Sequence, residues 1–132
     1  MRLWHIDLIP YLPNSQLIAQ WRELNSIFKK QDKHILINYI YEYHNKSVLY
    51  HYTKQVMEEL TDRNYKIKSF DNFNNYFKNA QLSFSAPNFA EHNDEYLTIC
   101  YYNLKEKYIR GQKDFTKEIF EKLNEFYLTK MK

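Results

Sequence analysis

Residues 16–28 read QLIAQWRELNSIF, and this stretch predicts the first helix of the protein. Its apolar residues recur at spacings of four, three and four, which is one stripe of a helix: Leu17, Trp21, Leu24 and Phe28. Such a stripe faces the core of a globular protein. Asn14 or Ser15 stands where a polar side chain caps a helix, so we expect a helix over residues 14–29.

The composition favours the same helical class. The chain of 132 residues contains only one Gly and three Pro, so turn-rich sheets, Gly-rich phosphate loops and flexible linkers are poorly supplied. A chain of this length buries a hydrophobic core without disulfides or a structural metal. We therefore predict a mainly α protein, a single compact helical domain over residues 1–132 with an extended N-terminal arm.

The arm and the next helices follow from local signals. Pro10 and Pro13 each disfavour helix in the preceding residue, so the first thirteen residues are expected to be extended. Residues 35–43 are apolar enough for a strand or a buried helix, and we interpret them as helical because their neighbours are. A longer helix, capped by Ser47, is expected to end near Asn64.

The second half of the chain predicts two more helices after a weakly patterned stretch. Residues 66–89 are rich in Asn and are interpreted as a loop with a short helix. Two amphipathic patterns follow and are separated by Gly111: Leu97, Cys100, Tyr101 and Leu104, then Phe115, Ile119, Leu123 and Phe126. Cys100 lies on the apolar side of its helix, where a buried and unreactive thiol is expected.

Charge and cysteine content limit the possible partners and the cellular location of the protein. The net charge of +3 permits a phosphate-binding surface without requiring one. Cys100 is the only cysteine, so the chain forms no internal disulfide, and a reducing cytoplasmic location is expected. The sequence has neither a signal-peptide pattern nor a long apolar run, so we expect no membrane association.

Glu23 is the first candidate for chemistry. On a helical wheel it lies away from the apolar stripe and shares its face with Gln16 and Ala19, while Arg22 lies on the other polar side. Core packing therefore does not require Glu23. An Arg-Glu pair on a helix is most often solvated, so a specific role has to come from the surrounding sequence.

The sequence around Glu23 resembles the pyrimidine-dimer DNA glycosylase family, the phage endonuclease V type and its bacterial relatives. The family helix reads Leu-Met-Ala-Glu-Tyr-Arg-Glu-Leu, and residues 17–24 read Leu-Ile-Ala-Gln-Trp-Arg-Glu-Leu. The opening Met-Arg-Leu-Trp-His at residues 1–5 is similar to the start of bacterial members. The resemblance continues at a moderate level over residues 34–65 and is faint at residues 104–107.

This resemblance implies a DNA-repair glycosylase with associated AP lyase activity. In the family the N-terminal amine attacks the sugar C1′, expels the base and leaves an imine on the DNA. Phage members lose their initiator Met before a small residue, whereas Arg2 follows Met1 here, so the Met1 amine is the expected nucleophile. An α-amine ordinarily has a pKa of about 7.7 to 8.0, so a useful fraction is neutral near pH 7. Glu23 is expected to stabilise the sugar cation and then to remove a 2′ proton.

The resemblance also implies a DNA-binding surface. Arg2 and Arg22 match family positions that hold phosphates, a role that suits the forked donors of a guanidinium. Further DNA contacts are expected from the face of Glu23 and from a shortened basic segment: Gln16, Lys29, Lys30, Lys33 and His34. The expected partner is damaged double-stranded DNA in the nucleoid, with no metal, organic cofactor or obligate protein partner. A pyrimidine dimer is the lesion that the resemblance implies.

Two alternatives stay open at this stage. The first is a non-catalytic helical DNA-binding protein that kept the arm and helix of a glycosylase. The second, which ranks lowest, is a metal-dependent hydrolase. Its possible ligands show no spacing such as His-Glu-x-x-His that would fix two of them on one helix face: His5, Asp7, His44, His51, His92 and Asp94.

Overall fold

The computed structural model describes residues 1–132 and consists of helices joined by turns and loops. There is no β-strand, so the predicted mainly α class is confirmed. The elements, five α-helices and two 3-10 helices, follow in this order: 3-10 helix Ile6–Tyr11, α1 Asn14–Lys30, 3-10 helix Asn38–Glu42, α2 Ser47–Asp62, α3 Asp71–Phe77, α4 Asp94–Ile109 and α5 Lys117–Lys130. None of these helices is long and apolar enough to cross a membrane.

Helix α1 follows the periodicity of its sequence. It spans Asn14–Lys30, and its predicted apolar stripe is buried: Leu17, Trp21, Leu24 and Phe28. One side packs against α2 and another against α3. The helix ends at Gln31, whose backbone is left-handed with φ of 48°. Helix α1 is therefore anchored on two sides, which gives the polar residues of its free side a rigid support.

The N-terminus of α1 is capped from a distant part of the chain. The helix begins directly after Pro13, so Asn14 and Ser15 lie within its first turn and neither is the cap. The Asp114 carboxylate accepts hydrogen bonds from the Ser15 backbone N–H and from Ser15 Oγ, both at 2.7 Å. The predicted local cap is wrong because this carboxylate satisfies the helix end and complements its positive dipole.

The arm is extended only in part. Residues 1–5 and 12–13 lie outside any helix, as expected, whereas Ile6–Tyr11 forms a 3-10 helix. This short helix buries three apolar side chains: Ile6, Leu8 and Ile9. The expectation of an extended chain is wrong for these residues because coiling brings consecutive apolar side chains to the core, which a straight strand would place on opposite sides.

Helix α2 begins and ends close to the predicted limits. It spans Ser47–Asp62, and Asn64 follows in the left-handed conformation. Ser47 is the first residue of the helix and not its cap. Asn45 Oδ1 accepts from the Ser47 N–H at 2.8 Å, while Ser47 Oγ accepts from the Ser83 N–H at 2.6 Å. The Ser47 hydroxyl thus bonds the loop that contains Ser83 to the start of α2.

Arg63, which follows α2, holds the arm in place. Its guanidinium donates to the carbonyl oxygens of Leu12 at 2.6 Å and Pro10 at 3.1 Å. The same side chain forms an ion pair with Glu59, one turn earlier, at 2.8 Å. Because both carbonyls belong to the arm, Arg63 joins the C-terminus of α2 to the entry of α1.

Two segments are less regular than the main helices. Residues 35–43 contain only the 3-10 helix Asn38–Glu42, and Ile35 is 85% exposed. The helical interpretation of this stretch is thus correct only for its second half, because residues 35–37 form a turn in which Ile37 is buried while Ile35 and Leu36 are exposed. The weakly patterned residues 66–89 contain one short helix, α3, as predicted.

Helices α4 and α5 form the C-terminal half. The predicted apolar side of α4 is buried, including the thiol of Cys100: Leu97, Cys100, Tyr101 and Leu104. Gly111 separates the two helices with φ of 87°, a conformation that favours glycine. The α-helices and the arm all contribute to one hydrophobic cluster of 28 buried residues.

Candidate active site

Glu23, on α1, and the N-terminal amine are near enough for the charge of one to act on the other. The Glu23 carboxyl is half-buried, and burial raises its pKa above the usual range. The positive charge of the Met1 α-amine, the backbone N–H of Arg2 and the charge of Arg22 each act in the opposite direction and lower that pKa. Met1 itself is 37% exposed. The structure therefore brings the two groups expected to carry chemistry within electrostatic reach of each other, next to solvent.

A fully buried glutamine, Gln20, connects the arm to this site. Its Oε1 accepts from the Trp4 backbone N–H at 2.7 Å and lies 2.9 Å from the Tyr52 hydroxyl. Its Nε2 donates to the Arg2 carbonyl at 3.1 Å and to Glu23 Oε2 at 3.2 Å. The amide thus contacts the backbone on both sides of residue 3 and the carboxylate of the site.

The sequence interpretation missed Gln20, although a signal was present. Residue 20 falls three positions after Leu17 and four before Leu24, which is on the buried side of the helix. A polar side chain on an apolar stripe needs hydrogen-bond partners inside the protein. Its position on the wheel therefore marks it as part of a buried polar network.

The Arg2 side chain is more buried than the expected phosphate-binding role requires. Its side chain is half-buried, and the guanidinium carbon lies 5.8 Å from the centre of the Trp4 ring. Its positive charge also lowers the pKa values of Tyr96 and Cys100, which burial raises. Arg2 thus borders both the buried interior under the arm and the site at Glu23.

The other basic residues form an exposed surface along α1 and beyond its end. Arg22, Lys29, Lys30, Lys33 and His34 are all exposed. Arg22 and Lys29 line one open groove of about 510 Å³, to which Lys68 and Tyr65 also contribute. Lys30 lies seven residues after Glu23 and so on nearly the same side of α1. The groove adds two residues, Lys68 and Tyr65, that the sequence pattern did not indicate because they lie in a loop.

The Gln16 side chain is hydrogen-bonded to Gln112 in the C-terminal half. Its Nε2 donates to Gln112 Oε1 at 3.1 Å, and Gln112 Nε2 donates back to Gln16 Oε1 at 2.8 Å. This reciprocal amide pair lies near the capped N-terminus of α1. The structure therefore separates Gln16 from the basic surface at the other end of the helix.

Two histidines lie in the interior beneath the arm. His92 Nδ1 accepts from the Ile6 N–H at 3.0 Å, and its Nε2 lies 2.8 Å from the Tyr39 hydroxyl. Burial lowers the pKa of His92 to about 3 and also lowers that of His5, whose ring centre is 5.4 Å away. Both rings are therefore neutral near pH 7. No three His, Cys, Asp or Glu side chains lie close enough together to hold a metal ion.

Comparison with known proteins places this site in a family. The model of the family described as pyrimidine dimer DNA glycosylase matches residues 1–73, more than half of the chain. The chain belongs to the pyrimidine dimer DNA glycosylase family. The matched residues contain the arm, α1 with Glu23, and all of α2, so the family likeness includes both the amine and the carboxyl.

Membership in this glycosylase family confirms the resemblance given by the sequence and implies a DNA substrate. The nearer likeness to bacterial members stays a prediction. The faint likeness at residues 104–107 lies outside the matched part of the chain. No curated protein and no solved structure matched the chain.

Proposed function

We propose that this protein is a DNA glycosylase with associated AP lyase activity, which acts through an imine formed by the Met1 α-amine. Its substrate is damaged duplex DNA, with a pyrimidine dimer as the lesion that the family likeness favours. The observation that carries the proposal is the half-buried Glu23 carboxyl, which lies within electrostatic reach of the Met1 amine. A solvated helix charge would have neither the burial nor this neighbour.

The proposed reaction begins with the neutral amine. Its lone pair forms a bond to the sugar C1′ while the bond from C1′ to the base breaks, and the base leaves with the bonding electrons. Ring opening then gives an imine between Met1 and the sugar. The Glu23 carboxylate stabilises the positive charge that develops on the sugar and later accepts the 2′ proton. Loss of that proton drives elimination of the 3′ phosphate, which cleaves the strand.

The environment of Glu23 suits these steps. A raised pKa makes a carboxylate a better proton acceptor at neutral pH, since a base works best when its pKa is near the working pH. An α-amine is in general less basic than a lysine side chain, which makes it the more suitable nucleophile of the two. A half-buried carboxyl and an exposed α-amine within its electrostatic reach therefore suit the roles of base and nucleophile.

The basic surface suits the backbone of the substrate. We assign phosphate contacts to Arg22, Lys29 and Lys68 in the groove, and to Lys30, Lys33 and His34 beyond the end of α1. Arg2 is assigned to the phosphate next to the reacting sugar. Gln16 would reach DNA only by giving up its amide pair with Gln112.

Borohydride trapping tests this function. The full chain is incubated with three duplexes, one with a cyclobutane dimer, one with an abasic site and one undamaged, and borohydride reduces any imine to a stable amine. We expect covalent adducts with the first two only, and peptide mass spectrometry should locate the link at Met1. A sample with an acetylated N-terminus is the control and should give no adduct.

The same assay addresses the binding-only alternative. A protein that binds damaged DNA tightly but gives no adduct with the abasic duplex would be a DNA-binding protein without turnover, and the proposed function would be wrong. An adduct on a lysine side chain would instead overturn the assignment of Met1. Addition of a chelator should leave the adduct yield unchanged.

A further inference from the structure

Gln20 has more hydrogen bonds than a glutamine needs for packing. Glutamine is normally a surface residue, yet this side chain has no exposed area. Its oxygen contacts Trp4 N and the Tyr52 hydroxyl, and its nitrogen contacts the Arg2 carbonyl and Glu23. Both acceptor sites and both donor hydrogens of the amide are in use.

The partners of Gln20 connect the two reacting groups of the proposed mechanism. The Arg2 carbonyl is one peptide bond away from the Met1 amine, and Trp4 lies two residues further along the arm. These two bonds fix the backbone at residues 2 and 4, and Met1 is the residue directly before them. Because the same amide also donates to Glu23 Oε2, the amine and the carboxylate share one anchor.

We propose that Gln20 is a positioning residue of the reaction, an inference that rests on the proposed function. Its amide orients the arm and the Glu23 carboxylate relative to each other, so that the Met1 amine and Glu23 face the same sugar. Gln20 has no exposed area, so its role requires no contact with DNA. It acts only through the groups it holds.

Tyr52 stabilises this arrangement from the side of α2. Its hydroxyl lies 2.7 Å from the Trp4 carbonyl and 2.9 Å from Gln20 Oε1, and it donates its single proton between these two acceptors. The network is buried, where hydrogen bonds are stronger and where an unpaired group is costly. Rotation of the Gln20 amide would break all of its bonds together, so the network favours one orientation of Glu23.

Three variants separate this role from simple packing. Gln20→Glu keeps an acceptor for the Trp4 N–H but replaces the donor to Glu23 with a second carboxylate. Gln20→Met keeps the volume and removes every hydrogen bond. Gln55→Met, an exposed glutamine on α2, is the matched control.

The first measurement is the titration of Glu23 by ¹³C carboxyl NMR, which requires neither DNA nor turnover. In Gln20→Glu we expect the Glu23 midpoint to rise by about one pH unit, because a second carboxylate disfavours ionisation. A smaller rise is expected in Gln20→Met, and none in Gln55→Met. In the wild-type protein, the Gln20 side-chain amide resonances should shift with the same midpoint, which tests the contact even if a variant does not fold.

The second measurement is turnover on the abasic duplex. In both Gln20 variants we expect kcat to fall by about 100-fold, the size of effect that small misplacement of reacting groups produces, with little change in KM. In Gln20→Glu the acidic limb of the pH profile should move upward by the same amount as the NMR midpoint. A packing role alone would lower the melting temperature without moving that limb.

The outcomes distinguish a failure of the proposed function from a failure of the positioning role of Gln20. If the wild-type protein forms no imine, the proposed function fails, while the titration still decides the contact that the role of Gln20 requires. If Glu23 titrates alike in all variants and the Gln20 amide resonances ignore its ionisation, the positioning role is overturned. Variants that fold and keep the wild-type kcat would overturn it as well.

Discussion

The N-terminal half and the C-terminal half of the protein are each stabilised by a different kind of contact. In the N-terminal half, hydrogen bonds centred on Gln20 fix the arm to α1 and α2. In the C-terminal half, α4 and α5 meet through stacked rings and two partly buried hydrogen bonds, Thr98 with Tyr127 and Tyr101 with Asn124. Tyr101 lies on Tyr127 with 3.9 Å between ring centres, and Tyr108 lies on Phe120 with 4.2 Å.

This difference teaches where the fold tolerates change. A buried hydrogen-bond network loses stability when any member is replaced, because its partners are left unpaired. Apolar packing accepts exchanges that conserve volume at a smaller cost. The family match covers residues 1–73 and stops before the ring-packed half. The matched residues thus include Gln20 and its partners and exclude α4 and α5.

The largest contrast is expected for one carboxyl in each half. Glu23→Gln should lower the rate of strand cleavage by about 10²- to 10⁴-fold, because the amide can neither accept the 2′ proton nor carry the negative charge. Glu121→Gln on α5 should leave the rate unchanged, since Glu121 is exposed and pairs only with Lys117. Single-turnover kinetics with a filter-binding control measures both. Equal rates for Glu23→Gln and the wild type would show that this carboxyl takes no part.

The next contrast concerns how the free energy of unfolding depends on pH. Because burial lowers the pKa of His92 to about 3 from an ordinary 6.5, the unfolded chain takes up a proton between these values that the folded chain does not. The free energy of unfolding should therefore be highest above pH 6.5 and fall below it, by up to about 1.4 kcal/mol per pH unit for this group. Urea unfolding at pH 7, 6 and 5 measures the slope.

The control for this prediction is His92→Asn, which keeps an acceptor for the Ile6 N–H and does not titrate. Its stability should vary less with pH than that of the wild type. A smaller slope should remain, because the pKa of His5 is lowered too. An unchanged slope in the variant would mean that His92 does not govern the acid sensitivity.

A matched pair of tyrosines gives the third contrast. Tyr52→Phe should lower the free energy of unfolding by about 1 to 3 kcal/mol, because the Trp4 carbonyl loses a buried donor. Tyr101→Phe, in the ring-packed half, should cost less, since its partner Asn124 is half-exposed and can bind water. Chemical denaturation compares them. The reverse order would contradict the division into a bonded half and a packed half.

The smallest effect is expected on the basic surface. Lys29→Gln should weaken DNA binding modestly and reduce the slope of log K against log salt by about 0.9, the value of one phosphate contact. Lys107→Gln, an exposed lysine on α4, is the control and should leave the slope unchanged. Binding titrations at several salt concentrations give both slopes. A slope that changes equally in the two variants would mean that the groove does not hold the DNA backbone.

The helices could be predicted from the sequence because their signals are local. The spacing of Leu17, Trp21 and Leu24 fixed the buried side of α1 and left Glu23 outside the core, and the structure agrees. The 3-10 helix of the arm was missed, since the prolines gave a local signal that burial of Ile6 and Leu8 overrides. Periodicity describes a helix well and describes its connections poorly.

The network around the site could not be predicted in the same way. Gln20 meets Trp4 sixteen residues away and Tyr52 thirty-two residues away, so its partners depend on how the arm and α2 pack. The cap of α1 depends on a contact across ninety-nine residues, between Ser15 and Asp114. Local propensity contains no information on such pairs. Only the presence of a polar residue on an apolar stripe indicated that a network was needed.

The distant cap also sets an order of events on the ribosome. Helix α1 leaves the ribosome early, but the carboxylate that completes its N-terminus is made ninety-nine residues later. At ordinary speeds of synthesis this delay is about 5 to 20 seconds. During that time the helix that carries Glu23 has an uncapped N-terminus, and the Gln16 amide has not yet formed its hydrogen bonds with Gln112. The half of the protein with the family site is thus translated first and completed last.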